Sequence, residues 1–220
     1  MNVDAQIDAV TRGVQTRDVD GEPSRVQTLE QTYRSPIDDV WDAITSAERI
    51  GRWFLPVSGD LRLGGRYQLE GNAGGTVESC APPADGQASY RVTWEFGGGV
   101  TWLTVRLAAV DADRTRLVLE HVARVADVAD EMWQSFGPAG TGIGWDSGLL
   151  GLSLHLTDPA SRPEDPAAWT LTEEGRHFMR RSADAWATEH AKDGVDPDVA
   201  AAAAEATFRM YTGEGPAPEM

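Results

Sequence analysis

His121 has the widest chemical reach of any residue in this 220-residue sequence. It falls in TRLVLEHVARV, where period-two alternation puts Thr115, Leu117, Leu119 and His121 on one side of a strand. Arg116, Val118 and Glu120 face the other way. An imidazole on an otherwise apolar face needs a hydrogen-bond partner. It could anchor a ligand, or act as a general base with an ordinary pKa near 6.5. It could equally be a core histidine satisfied by a neighbour, and the residues alone leave both readings open. Tyr67, in LRLGGRYQLEG, is the second candidate, as a hydroxyl anchor or as a core tyrosine with its hydroxyl at a rim. His121 and Tyr67 are therefore the candidate catalytic residues. Asp146, beside Trp145, reads as a first-turn acid placed by a helix dipole.

Other chemistries lack their residues. Cys80 is the single cysteine, which excludes an internal disulfide and a cysteine-based zinc site. There is no HExxH and no G-x-S-x-G, and His177 and His190 are too far apart for an i, i+4 metal pair. The glycine-rich run 137–144 lacks the GK[ST] ending of a phosphate loop and does not fit GxGxxG. No metal and no cofactor are expected. The 35 Asp and Glu outnumber 19 Lys and Arg, a formal net charge of −16, which repels nucleic acid and anionic membrane surfaces. The start MNVDAQIDAV has no basic n-region followed by an apolar h-region. No apolar run approaches the roughly 18–20 residues that span a bilayer. No membrane insertion is expected, and a cytoplasmic protein is the default reading.

The elements that must carry these residues can be read in order. Val3, Ile7 and Val10 share one face of a short helical lead. GVQTRDV and SRVQTLEQTY flank Asp20-Gly21 as a hairpin, with a loop expected to run through Pro23. Ser35 is placed to cap a helix with Pro36 at its first position, and Ser46 to cap a second one ending at Trp53-Phe54. A chain of strands follows. Tyr67 and Leu69 share a face, as do Tyr90, Val92, Trp94 and Phe96, and then Thr101, Leu103, Val105 and Leu107. Pro82-Pro83 is expected to close one strand, and 126–139 is expected to be a loop that packs as a lid through Met132, Trp133 and Phe136. GTGIGWDSGLLGLSLHL reads as one apolar helix, with Trp145, Leu149, Leu152 and Leu156 in a stripe beside Gly144, Gly148 and Gly151. Glycine inside a helix costs roughly 1 kcal/mol, so these need close approach to another backbone, or room for a ligand. A Pro-rich acidic linker then leads to a helix capped by Thr170 and Glu173, running to about Lys192, and to a last helix from Asp196-Pro197. Period-two strands in succession argue for one antiparallel sheet with a buried face. The expectation is a bent sheet gripping the late helix over an apolar hollow.

The residues SPIDDVWDAIT, ERIGRWFLP, LRLGGRYQLEG, GGTVESCAPP, VTWEF, TRLVLEH and GWDSGLLGLSLHL, in that order, resemble the START-like, helix-grip (SRPBCC) superfamily. The likeness is to its branch of heat-shock-protein-90 ATPase activator homologues and covers about residues 14–156. It implies an α+β helix-grip fold: a curved antiparallel sheet around a long C-terminal helix, with two short helices after the first strand. The chain would then divide into a lead (1–13), the helix-grip domain (14–156), and a linker with a two-helix extension (157–220). That extension must pack on the domain or on another subunit, which would allow a homodimer. Alternation alone suits a dry core equally well. The resemblance implies instead a ligand site lined by Trp53, Tyr67, Leu69, Val92, Trp94, Leu103, Val105, Leu119, His121, Phe136, Trp145 and Leu149. Three functions follow, in order of preference. The first is a binding protein for a small hydrophobic or aromatic ligand. The second is an enzyme of cyclase or dehydratase type using His121 and Tyr67, and the third a chaperone-associated partner module in a bacterial stress response.

Overall fold

The computed structural model describes residues 1–215, so the end of the 157–220 segment lies outside the described residues. Helix α1 (Val3–Asp8) leads into strands β1 (Thr11–Val19) and β2 (Glu22–Tyr33), and then helices α2 (Ile37–Thr45) and α3 (Ala47–Trp53). Strands β3 (Val57–Gly59), β4 (Arg66–Leu69), β5 (Gly74–Ala84), β6 (Gln87–Phe96), β7 (Gly99–Asp111) and β8 (Arg114–Arg124) follow. The helices α4 (Asp130–Phe136), α5 (Ala139–Thr157), α6 (Pro166–Trp169), α7 (Glu173–Lys192) and α8 (Pro197–Tyr211) complete the described chain. The strands form one curved antiparallel sheet in the order β1-β2-β8-β7-β6-β5-β4-β3. With α5 as its long C-terminal helix, this is the α+β helix-grip architecture.

By density of contacts the chain forms two compact units. Unit 1 holds 1–27, 124–147 and 163–220; unit 2 holds 28–123 and 148–162. This partition follows contacts, and it cuts across the successive segments 1–13, 14–156 and 157–220.

In unit 2 the sheet is a meander from β3 to β8, because each of those connections is short enough to return the next strand beside the last; β2 reaches β3 through α2 and α3 and lies beside β8 instead. Gly97 and Gly98, at φ +59 and +82, close a two-residue turn between the paired Phe96 and Gly99. Asp85 and Gly86, at φ +50 and +74, close another between Ala84 and Gln87. Positive φ at both central positions matches the twist of the flanking strands. Strand β5 runs on through Pro82 and Pro83, which do not close it as expected. The register shifts between Ala81 and Ala84, and such an irregularity excuses the prolines from the ladder. Helix α2 buries Val40, Ala43 and Ile44. Ser35 does not cap it: Pro36 holds the N-cap position, and the Ser35 hydroxyl donates to Asp39 instead. Ser46 stands at the N-cap of α3 but makes no side-chain cap bond. The C-terminal half of α5 lies against the end of α3. A Cβ on Gly151 would stand 2.3 Å from the Trp53 carbonyl oxygen, so this glycine is kept for close backbone approach.

In unit 1, the β1–β2 turn is the tight two-residue kind, with Asp20 at φ +54 and Gly21 at +84, and Pro23 lies inside β2. The expected longer loop is unnecessary because the Asp18 carboxylate accepts from Gly21 N–H (2.9 Å) and steadies the turn. The 126–139 stretch is not a loop. It contains α4, whose first turn carries Asp130 and Glu131, favoured by the helix dipole. Thr172, not Thr170, caps α7, accepting from Gly175 N–H at 3.1 Å. The register differs because α6 occupies Pro166–Trp169, leaving Thr170 as its C-cap. Asp196 caps α8 through Asp198 and Val199 N–H. Phe178 and Trp186 of α7 are fully buried.

Candidate functional site

The strand pairing places the expected residues of unit 2 in rows. Val92 pairs with Leu103 and Leu103 with His121; Tyr90 pairs with Val105 and Val105 with Leu119. Trp94 pairs with Thr101 at the end of the β6–β7 hairpin. Tyr67, Leu69, Val92, Leu103, Val105, Leu119, His121 and Leu149 are each at most 8 % exposed. Trp53 and Trp94 are half-buried. Burial at this level comes from alternation, complete in β4, along most of β8 and through Leu103, Val105 and Leu107 of β7, whereas in β6 only Ala88 and Val92 are buried.

His121 Nε2 lies 2.7 Å from Thr101 Oγ1. The same hydroxyl donates to the Trp94 carbonyl at 3.3 Å. With its proton directed there, the hydroxyl is assigned as the acceptor of Nε2–H, a tautomer inferred from the bonding network. Burial lowers the pKa to about 4, because a charged imidazolium loses its hydration there. The ring is thus neutral at ordinary pH and weakly basic. It can orient a polar group on a ligand better than it can abstract a proton. Tyr67 donates to the Thr93 carbonyl at 2.7 Å, and burial pushes its phenol above the usual tyrosine range. The two candidate catalytic residues share the sheet but are each bonded to a different neighbour.

The half-buried aromatics of unit 2 gather where α3 ends. Trp53 donates its indole N–H to Ala43 O at 2.9 Å and packs against Phe54, with ring centroids 5.5 Å apart. Phe54 lies at ordinary contact distance from the space above Gly148. Sequence reasoning passed over Phe54 and Thr101, although Thr101 had been placed on the same face as Leu103. It also passed over Arg49, which donates to Asp39, Asp42 and His155 Nε2 (3.1 Å) and so ties α2, α3 and the end of α5 together. Burial, and then the charge of Arg49, hold the His155 pKa down.

The remaining expected residues, Phe136 and Trp145, belong to unit 1. There Asp146 is not a first-turn acid, because α5 begins at Ala139 and Asp146 is well inside it. It is 1 % exposed and carries a hydrogen-bond cluster. Arg12 donates through Nε (3.1 Å to each oxygen) and Nη2 (2.8 Å), Ser182 through its hydroxyl (2.5 Å) and Trp186 through its indole N–H (3.0 Å). A Cβ on Gly142 would meet the Trp186 ring at 2.3 Å, so the glycine admits the indole to the helix surface. The sequence signal for this cluster was present: a serine and a tryptophan at i, i+4 on the α7 stripe, and a lone arginine after the N-terminal lead. Among the described residues no three His, Cys, Asp or Glu side chains gather to hold a metal, and no helix is long and apolar enough to cross a membrane.

The family model described as "Activator of Hsp90 ATPase homolog 1-like protein" matches residues 34–152, more than half the chain. The chain belongs to that family. Among solved structures, the crystal structure of CalU16 from Micromonospora echinospora is similar, with 28% identity and a TM-score of 0.65. The match covers 82% of this chain and 98% of that one. A protein from Mesorhizobium loti shares the fold at 18% identity and a TM-score of 0.51, over 61% of this chain and 99% of that one. A protein from Enterococcus faecalis does so at 15% identity and a TM-score of 0.53, over 74% and 85% of the two chains. None of the curated proteins matches the sequence. The family and its structural relatives point to a ligand-binding fold.

Proposed function

We propose that this member of the family binds a small hydrophobic or aromatic molecule against the apolar face of unit 2, with no metal. The observation that supports the reading is His121: a neutral imidazole, oriented by Thr101, set among Leu103, Leu119 and Trp94 on a face otherwise without charge. Such a surface offers apolar burial, worth about 0.8 kcal/mol per buried CH₂, and one directional polar contact. The half-exposed rings of Trp53, Phe54 and Trp94 supply flat partners for an aromatic ligand. The geometry gives less support to a cyclase or dehydratase, because Tyr67 already donates to a backbone carbonyl and His121 is a weak base.

A thermal-shift screen of aromatic compounds tests the reading. A compound held at 100 times its Kd should add about 2.7 kcal/mol of stability to the wild type. The gain should shrink in His121→Leu, where the directional contact is gone. Failure of every compound, or equal gains in both proteins, would remove the proposal. The family description favours a second reading, a module that docks on an Hsp90-type chaperone. Stimulation of that chaperone's ATP hydrolysis by the purified chain would select it.

A further inference from the structure

Unit 1 contains a second group of buried polar atoms, unrelated to the face around His121. His190, on α7, is 4 % exposed, and neither of its ring nitrogens has a hydrogen-bond partner among the described residues. Arg25, on β2, has a side chain 11 % exposed, and its Nη1 is likewise buried without a partner. The other end of that guanidinium meets Asp130 at 3.4 Å, and the Asp130 side chain is 73 % exposed. Both residues pack on one ring. The Arg25 guanidinium lies 4.4 Å from the centroid of Trp133, and the His190 ring meets Trp133 edge-on at 5.5 Å.

Leaving such donors dry is costly: an unsatisfied buried group forfeits roughly 1–3 kcal/mol, and more when charged. A partner that reached both would satisfy two buried groups that pack on the same Trp133 ring. His190 also lines a shallow crevice together with Phe136, Trp186 and the small side chains Ala200, Ala203 and Ala204. The crevice is too narrow for a water molecule as it stands. Helix α4 has no buried residue, and it is fastened through Trp133 and through the Thr207 hydroxyl, which donates to Phe136 O at 2.9 Å. Admitting a ligand requires α4 to shift and to give up contacts with α7 and α8, the Trp133–His190 and Thr207–Phe136 contacts among them.

We propose that this is a second small-molecule site, which takes an organic anion: a carboxylate received by Arg25 and His190, with its apolar or aromatic body in the alanine-walled crevice. The charge argument selects an anion over a cation or a neutral molecule. Arg25 Nη1 is a cationic donor that Asp130 does not reach, and guanidinium matches carboxylate geometry closely. Asp193, whose charge acts on the imidazole, accepts from Thr16 N–H (3.3 Å) and the Thr16 hydroxyl (3.1 Å). Burial, followed by Arg25, lowers the pKa of His190, while Asp193 opposes this. The neutral ring therefore still offers one N–H.

Benzoate is the probe, with benzyl alcohol as its uncharged counterpart, both added to the full chain. The chain has four histidines, so their imidazole NMR signals can be assigned individually. Benzoate should shift the His190 signal saturably, benzyl alcohol should do so more weakly, and Arg25→Gln should weaken benzoate binding about tenfold or more. The melting temperature of Arg25→Gln checks that it folds; if it does not, the two wild-type titrations decide. No movement of the His190 signal, or equal binding of benzoate and benzyl alcohol, overturns the proposal. A response confined to His121 also overturns it, while leaving the reading of unit 2 intact.

Discussion

Replacing Asp146 by alanine should destabilise the protein by about 3–5 kcal/mol, measured by urea denaturation. A typical domain has only about 5–15 kcal/mol in total. The large effect follows from what the carboxylate leaves behind. Arg12 is 5 % exposed, and its charge is met by Asp146 and by the carbonyls of Ile7 (3.1 Å) and Val10 (2.9 Å). Without the carboxylate, a guanidinium stays buried with only neutral acceptors, and the Ser182 hydroxyl and Trp186 indole N–H lose their acceptor. Removing both ends of the pair should hurt less than removing one. Arg12→Met with Asp146→Leu is therefore expected to recover much of the loss, since no charge remains to be solvated. A single-variant loss below about 1 kcal/mol, the size of an exposed pair, would show that water reaches the cluster.

The second large effect is a dependence on pH. His121 has a folded pKa of about 4, against an ordinary value of about 6.5 in the unfolded chain. Above pH 6.5 the ring is neutral in both states and its contribution is complete. As pH falls below 6.5 the unfolded chain takes up a proton that the folded protein refuses, and stability drops. The fall ends near pH 4, where the folded ring protonates too. The difference corresponds to about 3 kcal/mol lost across that window. His155 and His190 are shifted in the same direction, and the lowered carboxyls of Asp39, Glu95, Glu174 and Glu205 also lose stability toward the acid end, so the wild-type curve alone mixes many groups. The useful measurement is the wild-type curve minus that of His121→Gln, which keeps a donor for Thr101 but does not titrate. A flat difference between pH 6.5 and 4 would mean that the ring is hydrated in the folded state.

Much of unit 2 was legible because its signals are local. Alternation in VTWLTVRLAAV and TRLVLEHVARV places Leu103, Val105, Leu119 and His121 on one face, and the register confirms it. The partner of His121 was harder to see. Thr101 lies across a hairpin turn and one strand over, and no pattern in the sequence joins the two. The hairpin at Asp85-Gly86 was hidden by the two prolines before it, which read as a stop when a register shift in fact accommodates them. Asp146 was misread because the first helical residues, Ala139 to Gly142, include glycines that resemble a flexible entry. The charge pair it makes joins residues 134 positions apart. Spacing rules reach three or four residues along a helix and two along a strand, so nothing in them reports such a pair. The crevice around His190 depends on three separate segments, and only the alanine run of α8 hinted at it.

The discontinuity of unit 1 constrains the order in which the protein can be completed on the ribosome. The strand bearing Arg12 is made first, Asp146 emerges much later, and Ser182 with Trp186 come later still. No nascent chain that stops before α7 can satisfy the carboxylate in full. A strand made before Asp146 is finished only by a helix made after it.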